Sequence, residues 1–256
     1  MKNNLDFKKS LPKAKEICTV DTDQGNKELM RLMRKVNSDR GPLMHKYHIP
    51  YTLKFEPIKL QVENILEIGV WTGAGLITWA RYFPNAEIEG IDWKFQYHNH
   101  IKRLYKLDLS NKIVLNFFDT TDTNRIRKHF RPERYDDYFD IIVDDGNHFA
   151  SAQKATIINM FQYLKPGGIW VIEDVTDTYE RADKILDYVN ELADEGHTVE
   201  YFQNFVSTRD DSNIIFITKK ITELKPVTKW ILGTEYTYEG EKLKPNDPRS
   251  SVYNYK

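Results

Sequence analysis

The chain predicts an α/β protein on a doubly wound, mostly parallel sheet, and three features of the sequence carry that reading. Between residues 64 and 196, short apolar runs alternate with segments of helical period, as successive βαβ units require. The runs are nearly continuous rather than alternating in polarity, as in strands buried on both faces. They also close on acids or glycine, so polar groups gather beyond the carboxyl ends of the strands, where such sheets bind ligands.

Each element follows in order. Residues 1–25 are polar and lysine-rich and read as a flexible arm. Residues 27–36 place Leu29, Met30, Leu32 and Met33 near one helical face. A stretch rich in aromatic residues and histidine covers 41–55. Strand one is 64–69, and a helix over 75–83 stops before Pro84, which disfavours helical geometry in the preceding residue. Strand 86–92, helix 98–109, strand 112–119 and a helix over 122–131 come next. Strand 138–145 leads to a helix over 151–164, capped by Ser151. A Pro-Gly-Gly turn opens the fifth strand within 164–174, followed by a helix over 181–196. Two strand-like runs around residues 209–211 form a hairpin, and residues 223–256 read as irregular.

Composition narrows the class. Hydrophobic residues at 40% and charged residues at 29% suit a globular chain, and no run approaches the roughly 20 apolar residues of a membrane span. A net charge of -1 gives no basic field for nucleic acid, and the basic residues of 125–134 sit among acids as a mixed-charge surface. Cys18 is the sole cysteine, which excludes an internal disulfide and a cysteine zinc site and favours a reducing, cytoplasmic location. Neither a nucleic-acid nor a membrane partner is expected. The arm and the tyrosine-rich tail would suit a homo-oligomer.

The strand ends carry the chemistry. They hold Glu67 and Gly69, Asp92, Asp119, Asp144 and Asp145 with Asn147 and His148, then Glu173 and Asp174. Acids at five successive strand ends repel one another unless cations or donors face them. The first loop sets glycines at 69, 73 and 75, not the G-x-G-x-x-G spacing of a pyrophosphate site. Glu67 before it would repel phosphate and suit an ammonium group. A ligand that joins an amino acid to a nucleoside without phosphate meets both conditions, and S-adenosylmethionine is such a ligand. Asp92 would accept the ribose hydroxyls, Trp93 would cover the adenine, and Asp119 would accept the adenine amino group.

With these residues on the page, the stretches NILEIGVWTGAGLITWARYFPNAEIEGIDW and FDIIVDDGNHFASAQKATIINMFQYLKPGGIWVIEDV resemble the metal-dependent sugar O-methyltransferases that act on deoxysugars of macrolide antibiotics. The likeness spans residues 37–180, and D-D-G-x-H with P-G-G-x-x-x-x-E-D is its most specific part. Ser38, Asp39, Arg40 and Gly41, with His45, Tyr47, Tyr51 and Phe55, are similar to a degenerate form of that family's N-terminal D-K-G and H-x-Y stretch. The resemblance implies a Rossmann-like class I methyltransferase fold, a central seven-stranded sheet ending in an antiparallel hairpin. It implies a helical cap over 1–56, the methyltransferase domain over 57–222 and a tail over 223–256.

It further implies Asp145, Glu173 and Asp174 as ligands of magnesium or another divalent cation, with Asp145 and His148 catalytic and His148 the general base. Glu67, Gly69, Trp71, Thr72, Gly73, Asp92, Trp93, Asp119 and Asp144 would form the S-adenosylmethionine site. Trp71 stands where many class I enzymes have Gly, and Asn147 where Ser is usual. A sugar hydroxyl is a weak nucleophile, and three carboxylates would hold a hard cation that stabilises its alkoxide. The expected substrate is a small molecule or glycan bearing a hydroxyl. The rival readings are a catechol or phenol O-methyltransferase, a nucleotide-dependent oxidoreductase and a non-catalytic binding domain.

Overall fold

The computed structural model describes residues 27–94, 112–175, 179–202, 211–221, 236–238 and 241–243. The arm expected over 1–25 and the helix expected over 98–109 lie outside the described residues. Seven strands form the main sheet: β1 (Asn64–Ile68), β2 (Glu87–Asp92), β3 (Ile113–Phe117), β4 (Phe139–Asp144), β5 (Leu164–Val175), β6 (Thr198–Phe202) and β7 (Asn213–Thr218). Their order is β3-β2-β1-β4-β5-β7-β6, with β7 antiparallel to both neighbours. This is the mostly parallel sheet with a terminal antiparallel hairpin that the sequence predicts.

The two wings part between β1 and β4, where Ile68 pairs with Asp144. Strand order reverses there, so the loops after β1 and β4 diverge and open a crevice. The apolar runs of β1 and β4 are buried along almost their whole length, because helices cover both faces of the sheet.

Among the described residues, α1 (Lys27–Val36), α2 (His48–Phe55) and α3 (Ala74–Tyr82) supply one face. Their core sets Tyr51, Phe55, Trp79, Phe83 and Phe216 ring against ring at centroid distances of 4.9–6.2 Å. The opposite face carries α4 (Thr123–His129), α5 (Pro132–Tyr135), α6 (Ala150–Met160) and α7 (Tyr179–Asp194), with Phe130, Tyr163 and Trp170 at its centre. The N-terminal helices thus share a core with the sheet; the chain divides only at residue 221, into units Met1–Ile221 and Thr222–Lys256.

Local chemistry sets the ends. Phe83 turns extended before Pro84, as expected. Asp122 caps α4 by accepting from the amides of Asn124 and Arg125. The start of α6 differs from expectation: it begins at Ala150 after Phe149, no side chain caps it, and Ser151 lies inside its first turn. Instead, Asn147 Oδ1 accepts from the Phe149 amide at 3.1 Å and fixes the turn leading in. Within the second unit, β8 (Tyr236–Tyr238) pairs antiparallel with β9 (Glu241–Leu243), a short hairpin in a tail expected to be irregular. Short tyrosine- and charge-bearing runs of this length leave little periodicity to read.

Candidate functional site

A cleft of about 740 Å³ opens at the carboxyl ends of β1, β2, β3 and β4. Gly69, Trp71, Asp92, Trp93, Asp119, Asp145, His148 and Asp174 line it, as do Asp39, Asn147 and Phe149.

The loop after β1 is shaped by Asp92. Its Oδ2 accepts from the amides of Val70 and Trp71, both at 3.0 Å, and its Oδ1 accepts from the Lys94 amide at 3.1 Å. This pull holds Trp71 at φ 42°, left-handed backbone that a bulky side chain rarely adopts, with the residue 56% exposed at the cleft. Gly69 has φ 88°, and a Cβ there would stand 1.9 Å from the Asp145 carbonyl oxygen, so only glycine allows the β1 and β4 loops to cross so closely. Asp119 accepts from the amide and hydroxyl of Thr121 at 2.8 Å and remains at the cleft wall.

At the other end, one ligand atom from each of Asp145, His148 and Asp174 lies within 4.8 Å of the others. His148 Nε2 is 3.7 Å from Asp174 Oδ2. Asp174 reaches this position because the pairing of β5 with β7 slips between Ile172 and Val175, and Asp174 itself turns to φ 54°. The Tyr47 hydroxyl donates to Asp174 Oδ1 at 2.8 Å, and His45 Nδ1 sits 3.5 Å from the same oxygen and 3.0 Å from Ser212 Oγ.

The remaining expected site residues are placed differently. Glu173 is 1% exposed and does not join the cluster. Arg40 Nε donates to both its oxygens, at 2.7 and 2.8 Å, and the Tyr51 hydroxyl donates to Oε1. Glu67 is equally buried, its Oε1 2.8 Å from Arg40 Nη1, an ion pair rather than an aligned hydrogen bond. Gly75 makes room for that pair, since a Cβ there would stand 2.0 Å from Glu67 Oε1. Glu67 therefore lies beneath the loop instead of lining the cleft. Thr72 and Gly73 lead into α3 without lining the cleft either.

Arg40 is the residue that sequence reasoning left without a role. Its guanidinium reaches Glu67, Glu173 and, at 2.5 Å, Asp145 Oδ2, tying together the ends of β1, β4 and β5. Burial opposes its charge, but Glu173, Asp145 and Glu67 outweigh that cost and hold its pKa well above the ordinary value. The surplus of strand-end acids was the available signal: it demanded a cation, and Arg40 stood in the quoted N-terminal stretch. Burial pushes Glu67 and Glu173 up to about 7 even with Arg40 beside them.

Among the described residues Asp144 has no such partner and accepts only from the Gly146 amide, at 3.3 Å. It is 2% exposed, and burial raises its pKa to about 7. The native state then holds this proton between roughly pH 4 and 7 while the unfolded chain does not, so stability falls as pH rises through that window. Asp144→Asn, isosteric with the protonated acid, should leave the thermal midpoint nearly unchanged at pH 4 and raise it by roughly 3 °C or more at pH 8. Circular dichroism melts at both pH values check this. An equal shift at both would mean Asp144 does not titrate with folding.

Residues 66–175 match a family model described as a methyltransferase domain. Among similar proteins, a mycinamicin VI 2''-O-methyltransferase from Micromonospora griseorubida is 26% identical over 159 residues, 59% of this chain and 37% of that one. An L-olivosyl-oleandolide 3-O-methyltransferase from Streptomyces antibioticus is 29% identical over 158 residues, covering 59% of this chain and 38% of its own. The chain thus spans less than two-fifths of the length of these relatives. The solved structure of the MycE methyltransferase in complex with Mg, SAH and mycinamycin VI aligns with a TM-score of 0.61 at 22% identity, over 81% of this chain and 58% of that one. At that identity the likeness establishes the class I methyltransferase fold.

Proposed function

We propose that this chain, whose residues 66–175 form a methyltransferase domain of class I fold, transfers the methyl group of S-adenosylmethionine to a hydroxyl of a sugar, with a divalent cation and a histidine base. The observation that carries this reading is the gathering of Asp145, His148 and Asp174 at one end of a cleft whose other end holds Asp92 and Asp119. The relatives named above, by their own names, methylate oxygens of mycinamicin VI and of an olivosyl macrolide.

The residues present fit both groups. The left-handed turn at Gly69, which lines the cleft, lets the ligand approach backbone. Asp92 would receive the ribose hydroxyls, Trp93 and Trp71 would flank the cofactor, and Asp119 would take the adenine amino group. Asp145 and Asp174, two carboxylates within 4.8 Å of each other, would hold magnesium or manganese and leave His148 beside them as the base. Such an ion, when bound, lowers the cost of charge on the acceptor oxygen. Asp145 and Asp174 would hold that ion at the cleft wall. His148, whose Nε2 faces Asp174 at 3.7 Å, would receive the hydroxyl proton as the acceptor oxygen takes the methyl group. Tyr47 and His45 hold Asp174 in place from behind. The single cysteine suits a reducing, cytoplasmic location.

Calorimetric titration with S-adenosylhomocysteine, with and without magnesium, tests the reading. Saturable micromolar binding and a separate magnesium heat are expected, after which glycosides are the acceptors to screen. No binding under either condition ends the methyltransferase reading.

A further inference from the structure

A single exposed apolar residue needs no explanation. Phe149 differs, because two local rules are broken at one position beside the proposed base. It is 57% exposed and lines the cleft directly after His148 in the chain. It also stands immediately before α6 with extended backbone, φ -71° and ψ 129°. That is the position and conformation in which Ser, Thr, Asp or Asn would accept from the first amides of the helix. Phenylalanine cannot do so, and helix stability alone would select a small polar residue. Conflicts of this kind gather at functional sites. We propose that Phe149 is the platform on which the acceptor's sugar ring lies, its ring face packed against the C–H face of the pyranose. This role rests on the sugar reading given above.

Helix α6 sets the place of Phe149 along the cleft. The Thr156 hydroxyl lies 3.1 Å from that of Thr120, the neighbour of Asp119, so the middle of α6 flanks the end given to adenine. Phe149 stands seven residues earlier, about 10 Å back along the helix axis, towards His148. Trp71 and Trp93, the other exposed aromatic side chains of the cleft among the described residues, are taken by the cofactor, which leaves Phe149 for the acceptor. An aromatic face carries the negative side of its quadrupole and attracts the polarised C–H groups of a pyranose. The hydroxyls then stand at the edge of the sugar, free to meet polar groups. Asn147 is the positioning residue for this platform, since its Oδ1 accepts from the Phe149 amide at 3.1 Å.

Calorimetry on the full chain saturated with S-adenosylhomocysteine and magnesium tests the platform, with methyl rhamnoside and methyl fucoside as probes. Phe149→Ser should raise the thermal midpoint by about 2 °C, because serine caps α6, and keep cofactor affinity within about twofold. It should nevertheless bind the glycosides at least about tenfold more weakly, whereas Phe149→Tyr, which keeps the ring face, should stay within about threefold. A packing role gives the opposite pattern: a midpoint several degrees lower in Phe149→Ser with glycoside affinity unchanged overturns the proposal. A loss of cofactor affinity as large as the loss for glycosides would seat the ring against adenine and overturn it too. If S-adenosylhomocysteine binds the unaltered chain and neither glycoside does, the platform falls while the methyltransferase reading stands; if S-adenosylhomocysteine does not bind, both fall.

Discussion

Asp92→Ala is expected to bind S-adenosylhomocysteine at least about a hundredfold more weakly than the unaltered chain, the loss of two charge-assisted hydrogen bonds worth roughly 1.5 kcal/mol or more each. The carboxylate does two things in this proposal. It would accept the ribose hydroxyls on lone pairs not already taken, and it anchors the Val70 and Trp71 amides that give the glycine loop its shape. Removing it loses the first contact and releases the second, so Trp71 relaxes from its left-handed conformation and the pocket floor changes. Calorimetric titration measures the effect directly. Affinity within about threefold of the unaltered chain would place the ribose elsewhere.

Asp145→Ala separates chemistry from cofactor binding. Methyl transfer should fall about a thousandfold, the several kcal/mol that a bound cation contributes to a developing alkoxide, while affinity for S-adenosylhomocysteine stays within about threefold. Arg40 keeps Glu67 and Glu173 after the substitution, so its charge remains balanced and the sheet end holds. The comparison is a rate assay with saturating cofactor beside a binding titration. Full activity of Asp145→Ala in the presence of a chelator would refute metal assistance, even with the fold correct.

The strands were legible because apolar runs buried on both faces leave few alternatives, and β1, β2, β4 and β5 fall within a few residues of expectation. That Asp92, Asp145, His148 and Asp174 line one cleft was legible for a related reason: the carboxyl ends of neighbouring parallel strands open on the same edge of the sheet. The paired acids were less so. Successive strand residues point to opposite faces, so Glu173 and Asp174 cannot both reach the cleft from a regular strand, and neither can Asp144 and Asp145. Alternation alone indicates that one of each pair turns inward; only the slip between β5 and β7 decides that it is Glu173. Arg40 left no local trace, because its partners at Asp145 and Glu173 lie 105 and 133 residues away in sequence and no periodicity spans such distances.

Those separations also bear on how the protein acquires its native state. Arg40 must close loops of 105 and 133 residues to meet Asp145 and Glu173, and contacts of such high order form late, after local helices and the neighbouring β1 and β2 have paired. During synthesis the cation emerges from the ribosome well before its last two counter-ions do. Until β4 is made, Arg40 has only Glu67 of these partners, and Glu173 arrives only with β5, so the charged centre of the sheet is completed late in synthesis.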